Sequence, residues 1–262
     1  MKAELISYSG SDLTVVNAAW VSFDKESKWD KDIPAIGLKE LSEGDTRLIN
    51  YLATHKHFTP FTHCAITLRE TVPIFVARQR FKHTVGFSYN EVSRRYVDSD
   101  PEFYHPRQWR GKPTNSKQGS SDKIIDINKP NRSFLNEYQK ALATCEWTYK
   151  HLLGLGVCPE QARMILPQSM YTSYYVTGSL YAFARAYNLR SDPHAQKEIQ
   201  YLATLWDKII SVLYPASWNA LTNKEKEQWF IIRWWSNEKP MGKRQENYFQ
   251  RTVDNLHARR LQ

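Results

Sequence analysis

The sequence predicts an α/β fold of the mixed α+β kind, with a central antiparallel sheet flanked by helices. Three observations predict it. Residues 64–72 alternate, with Cys64, Ile66, Leu68 and Glu70 on one face, and residues 168–177 are rich in Tyr and Thr, so both read as strands. Helical stripes alternate with them: Phe134, Leu135, Tyr138, Leu142 and Cys145 in residues 131–153, then Ile199, Leu202, Trp206, Ile209 and Leu213 in a final core helix. No Gly-rich dinucleotide fingerprint is present, so the sheet is not read as a Rossmann sheet.

A chain of 262 residues suits one large domain with an appendage. The expected division is a domain over 1–215 and a basic, aromatic extension over 216–262. No apolar run approaches the roughly 20 residues of a membrane helix, and no apolar h-region follows the N-terminus. Cys64, Cys145 and Cys158 are scattered and odd in number, which argues against a disulfide framework and for a cytoplasmic protein. The net charge of +9 admits nucleic acid, an acidic membrane surface or small anionic substrates as partners.

In chain order, Asp12 is the expected N-cap of a helix through Phe23, with Leu13, Val16, Trp20 and Phe23 as its stripe. Residues 25–38 read as a loop. A second helix is expected from near Asp45 to His55-Lys56-His57, where cations suit a helix C-terminus. His55, His57 and His63 have no acidic or Cys ligand beside them, and Pro60 makes their spacing irregular, so no metal site is assigned. Pro73 suits the first turn of the next helix. Residues 105–130 read as an inserted polar loop. Gly154 is the expected C-cap of the long helix, Pro159 opens a short one, and another follows Ser179. Asn188-Leu189-Arg190 is expected to interrupt it, and Asp192-Pro193 to start the final core helix.

Residues 78–96 organise the rest. Arg78, Arg80, Lys82, Arg94 and Arg95 stand against one acid, Glu91, and an apolar run from Pro73 to Ala77 puts them at the edge of a core. A helix end and turn this rich in fixed donors suits a multiply anionic ligand, because Arg forks bind phosphate or carboxylate in pairs.

The order Ala77-Arg78-Gln79, Lys82-His83, then Ser88-Tyr89-Asn90-Glu91-Val92-Ser93-Arg94-Arg95-Tyr96 resembles the signature region of flavin-dependent thymidylate synthases. That motif is written RHR, seven residues, Ser. Here the slot holds Lys82-His83-Thr84, and eight residues separate it from Ser93. A frame on Arg78-Gln79-Arg80 and Ser88 keeps the spacing but loses the downstream match. A second block, Gly156 to Pro167 followed by Tyr171-Thr172 and Asn188 to Ile199, also resembles that family and falls in the right order. The resemblance covers about residues 12–215.

The resemblance implies reductive methylation of dUMP to dTMP. FAD reduced by NADPH would carry the hydride, methylenetetrahydrofolate would supply the carbon, and no enzyme cysteine would attack the uracil. It implies Arg190 as the catalytic cation beside the uracil. It implies a dUMP site formed by Gln79, Arg80, Phe81, Lys82, Glu91, Val92, Ser93, Arg94, Arg95, Arg163 and Arg190. The flavin positions would be Thr59, Lys82, His83, Thr84 and Glu91, with Ser179, Tyr181 and Arg185 where the family has further contacts. A homotetramer with sites between subunits is implied as well.

Two other readings stand beside this one. The tail carries six cations against two acids from residue 239 onward, and Trp229, Phe230, Trp234, Trp235, Tyr248 and Phe249 interleave aromatics, as single-strand nucleic-acid binders do. The altered signature also suits a related flavoprotein without synthase activity.

Overall fold

The computed structural model describes residues 1–33, 38–97, 99–114, 119–126 and 134–222. A four-stranded sheet lies at the centre. Its strands are β1 (Lys2–Ser9), β4 (Ala65–Pro73), β8 (Tyr171–Ser179) and β5 (Phe87–Glu91), in that spatial order, and every pairing is antiparallel. Its inner face is written in the period-two pattern of β4 and β8. Cys64, Ile66, Leu68, Glu70 and Val72 are wholly or almost wholly buried, as are Thr172, Tyr174 and Val176, while Arg69, Tyr175 and Thr177 face outward. Gly178 lies opposite Phe87, and a Cβ there would stand 2.4 Å from the Phe87 ring, so glycine is what lets β5 close on β8.

Helices cover the inner face: α1 (Asp12–Trp20), α2 (Glu43–Thr54), α3 (Ile74–Arg80), α6 (Leu180–Arg190), α7 (Lys197–Leu213) and α8 (Pro215–Thr222). They bury Val15, Ile49, Val76, Phe183, Leu202 and Trp206 against the strands. Burial of such side chains contributes about 1.5–3 kcal/mol each. The alternating and helical stripes thus give the expected mixed architecture with a central antiparallel sheet.

Several boundaries differ from expectation for local reasons. Ser11, not Asp12, caps α1, because Ser11 and Thr14 satisfy each other's backbone N–H in a capping box. Asp12 is buried instead under α8, where its carboxylate accepts from the backbone N–H of Ala216 and Ser217 at 2.9 Å each. Within the stretch expected as loop lies β2 (Lys31–Ile33), which pairs antiparallel with β3 (Leu38–Glu40). The long helix, α4 (Phe134–Gly154), ends through Gly156 at φ +85°, with Gly156 N–H on the Leu153 carbonyl and Val157 N–H on the Leu152 carbonyl, rather than at Gly154. Next come α5 (Pro159–Ala162) and a 3-10 turn, Arg163–Ile165. α6 runs unbroken through Asn188-Leu189-Arg190. Asp192 does not start α7, because its carboxylate turns onto the backbone N–H of His194 at 2.7 Å, and Gln196 takes the N-cap position.

The inserted segment is more than loop. β6 (Trp109–Arg110) pairs with β7 (Ile124–Ile125), and Arg110 Nη2 binds both carboxylate oxygens of the buried Glu198 at 2.7 and 2.9 Å. The compact unit runs from Met1 to Thr222, so α8, with Trp218 buried, packs with it. Residues 225–235, whose sequence reads as a helix, and the basic, aromatic tail lie outside the described residues. Among those residues no helix is long and apolar enough to cross a membrane.

Candidate active site

The outward face of the sheet and the end of β5 enclose a cavity of about 970 Å³. Arg69 and Thr71 of β4 and Tyr171 and Ser173 of β8 line one side because strand alternation points them away from the core. Arg78, two residues before the end of α3, lines another. Glu91, Val92, Ser93, Arg94 and Arg95 follow β5 around the rim, and Arg163 enters from the 3-10 turn after α5. Five arginines there face three carboxylates, Glu91, Asp100 and Glu102, which leaves the cavity cationic. Ser93 Oγ accepts from the Arg95 backbone N–H at 3.3 Å, and Arg94 donates to the Ser99 carbonyl. Glu91 accepts from Thr172 Oγ1 at 2.6 Å, which fixes its carboxylate at the cavity wall.

Of the residues expected around a nucleotide, Phe81, Glu91, Val92, Ser93, Arg94, Arg95 and Arg163 line this cavity, whereas Gln79, Lys82 and Arg190 do not. Arg80 needs a correction. It is fully buried, with Nε 3.3–3.4 Å from both Glu70 oxygens and Nη1 2.7 Å from Tyr89 OH. Its guanidinium carbon lies 4.2 Å from the Phe87 ring centroid and 4.7 Å from that of Trp206. Glu70 is completed by Tyr174 OH at 2.5 Å and Trp206 Nε1 at 2.8 Å. Nη2 has no hydrogen-bond partner among the described residues, but zero exposure and absence from the cavity lining put the whole guanidinium in the core with Glu70 rather than at the cavity.

A second cluster forms where α3, the turn after it and α6 meet. Arg190 Nε donates to His83 Nε2 at 2.8 Å and Nη2 to the Gln79 carbonyl at 3.2 Å. The acids that could have held Arg190 are engaged elsewhere, Glu198 by Arg110 and Asp192 by His194. Burial, then the charges of Arg190, Arg80 and Arg185, lower the His83 pKa to about 4. The ring is therefore neutral at pH 7, and with Nε2 accepting, the proton sits on Nδ1. Gln79 Nε2 reaches Gln196 Oε1 at 2.5 Å, which ties α3 to the start of α7.

The remaining expected flavin positions lie on this side or close to it. Lys82 and Thr84 are exposed on the turn after α3. Tyr181 stacks on Phe58 at 5.3 Å, next to Thr59 at the start of the 3-10 turn Thr59–His63, and Arg185 lies 6.0 Å from the Tyr181 ring. Ser179 is occupied as the N-cap of α6, accepting from the Ala182 backbone N–H at 3.2 Å. Glu91 belongs to the cavity instead.

Reading the sequence missed Arg69, Ser173 and Gln196. Arg69 and Ser173 carry a signal only as outward positions of alternating strands, and they meet through Arg69 Nε and Ser173 Oγ at 3.2 Å across a pairing 104 residues apart.

The comparisons agree with this geometry. Residues 4–216 match the family model described as thymidylate synthase complementing protein. A flavin-dependent thymidylate synthase of Thermosipho africanus is 38% identical over 76% of this chain and 81% of its own. That of Thermotoga neapolitana is 38% identical over 83% and 88%. Among solved structures, a UMP/dUMP methylase PolB from Streptomyces cacaoi bound with 5-Br dUMP superposes with a TM-score of 0.69 and 28% identity, over 85% of this chain and 94% of that one. With a family match across most of the chain and a cationic cavity lined by the signature residues, this chain belongs to the flavin-dependent thymidylate synthase family.

Proposed function

We propose that this protein methylates dUMP at C5 to give dTMP, with methylenetetrahydrofolate as carbon donor and FAD, reduced by NADPH, as hydride carrier. The observation that carries the reading is the cationic cavity, where Ser93, Arg94, Arg95 and Arg163 of the family's signature blocks stand together. A nucleotide phosphate is a dianion, and several Arg donors on a rigid sheet edge meet it without reorganisation.

The second cluster supports the chemical step and the cofactor. Methylation at C5 needs an electron-rich uracil, whose carbonyls and N3 gather negative charge in the transition state. Arg190, held by His83 and Gln79, is a fixed cation suited to that charge. The donor set beside it fits a flavin: Lys82 and Arg185 as exposed cations for a pyrophosphate, Phe58 stacked on Tyr181 as an aromatic surface, and the His83 Nδ1–H as a donor to a polar ring edge. When bound, the flavin supplies the hydride that reduces the transferred one-carbon unit to a methyl group. No dinucleotide-binding glycine turn takes part in this proposal.

Neither Cys64 nor Cys158 suits nucleophilic attack on a ligand in the cavity. Cys64 is buried and burial pushes its pKa up to about 12, while Cys158 sits at the N-cap of α5, outside the residues that line the cavity. Because Arg190 does not line the cavity of its own chain, the complete site is proposed to form between subunits of a homotetramer.

The test is the visible spectrum of the purified protein with NADPH and dUMP added anaerobically, followed by release of the C5 hydrogen of dUMP. Bleaching of a flavin band that responds to dUMP, with hydrogen release, is expected. A colourless protein that takes up no FAD overturns the reading, and a flavoprotein that releases no C5 hydrogen reduces it to a relative without synthase activity.

A further inference from the structure

We propose that Tyr89 is a positioning residue: its hydroxyl clamps the turn carrying Lys82, His83 and Thr84 onto the buried Arg80, and so holds His83 against Arg190. The proposal rests on the synthase reading for its consequence in turnover, but not for its geometry.

The turn needs a restraint. It carries one residue more than the family motif allows between the RHR slot and the serine, and each added residue widens the conformations a turn can sample. Gly86, at φ +79°, redirects the chain into β5, and the turn's own backbone bonds, His83 N–H on the Arg80 carbonyl and Phe87 N–H on the Thr84 carbonyl, are local to it. Tyr89 supplies the hold. Its Cα is fixed in the ladder opposite Val176, and its ring packs against Phe81 and Tyr174 at 5.0 and 6.2 Å between centroids.

The hydroxyl then bridges a fixed group to the turn. Arg80 Nη1 donates to it at 2.7 Å, and it donates to the His83 carbonyl at 2.7 Å. Arg80 cannot follow the turn outward, because Glu70 and a box of aromatic rings hold it at zero exposure. Burial pushes the Tyr89 pKa up to about 12, so the hydroxyl keeps its proton and remains a donor at neutral pH. With the His83 main chain pinned, the ring meets Arg190 in one geometry. A free turn would spread that contact over many, and displacing such a group by about 1 Å can cost about a hundredfold in rate.

Tyr89→Phe deletes the hydroxyl and keeps the ring. Tyr174→Phe is the control, since it removes a hydroxyl from the same buried network, donating to Glu70, without touching the turn. Imidazole titrations of the full-length, ligand-free protein with 13C-labelled histidine report on His83 directly, assigned from the His83→Gln spectrum. The groups facing that ring are Arg190, Arg80 and Arg185. In Tyr89→Phe, His83 is expected to move up toward the ordinary imidazole value of about 6.5, as the ring leaves Arg190 and gains water. In Tyr174→Phe it stays where it is, although the protein melts earlier. Turnover of Tyr89→Phe is expected to fall about tenfold to a hundredfold in kcat, with the KM for dUMP near the parent's, because the cavity arginines are untouched. An unmoved His83 in Tyr89→Phe overturns the proposal, and so does an equal movement in Tyr174→Phe, which would mean general loosening. If the parent protein binds no flavin, the synthase reading fails, while the His83 titration still decides the clamp.

Discussion

Arg190 and His83 are one functional unit, because the bond between them exists only while the imidazole is neutral. Nε2 has to accept from the guanidinium, and a protonated ring has no lone pair to offer. Replacing Arg190 with Ala should lower kcat about 10²–10³-fold, the usual effect of removing one donor to developing charge, with little change in melting temperature. Arg190→Lys should not restore it, since an ammonium cannot span both His83 and the Gln79 carbonyl as the fork does. The His83 shift also sets a pH window. Its folded pKa, about 4, lies below the ordinary 6.5, so between those values the unfolded chain binds the proton and the folded chain does not. The stability linked to His83 is therefore fully present above about pH 6.5, is lost as pH falls toward about 4, and changes no further below that. Denaturant melts of the parent and His83→Gln across this range should diverge in slope only inside the window.

Strands β4 and β8 are used on both faces, with the Glu70–Arg80 core network inward and Arg69 with Ser173 outward at the cavity. Replacing Arg80 with Ala strands a buried carboxylate, which should cost about 3–5 kcal/mol in a denaturant melt, and adding Glu70→Gln should recover part of it. Alternation in residues 64–72 was enough to place Glu70 inward, because period two depends only on local backbone geometry. The role of Arg80 was not legible in the same way. Its partners come from β4, β5 and α7, and only their crossing turns a cation in a basic run into a core residue. The same holds for helix starts. Asp12 and Asp192 are chemically good caps, but Asp12 is drawn to α8, 204 residues away, and Asp192 closes a turn on His194. The signature residues from Glu91 to Arg95 were legible because they are contiguous, and a short chain segment stays together whatever the fold does.

At the scale of the molecule, the signature divides between two places. The phosphate-type donors Ser93, Arg95 and Arg163 line the cavity, while Arg190 sits with His83 and Gln79 outside it. A single uracil nucleotide has its charged phosphate and its reacting ring on one small molecule, so under the proposed function both sets would have to reach it together. The proposed homotetramer does this if the cavity of one subunit faces the Arg190 cluster of another, a heterologous or two-fold arrangement that symmetry repeats at every site. The consequence can be measured without a structure of the assembly. Arg163→Ala and Arg190→Ala should each be inactive at low dUMP when pure. Co-expressed in equal amounts, they should form mixed assemblies in which about a quarter of the sites, on random pairing, hold both native arginines, and that share of activity should return. Activity returning with subunit exchange would assign the two arginines of one site to different chains. A mixture that stays as inactive as its parts, although native mass spectrometry finds both subunits in one assembly, would put both arginines of each site on one chain and require the Arg190 cluster to move to the cavity when the ligands bind.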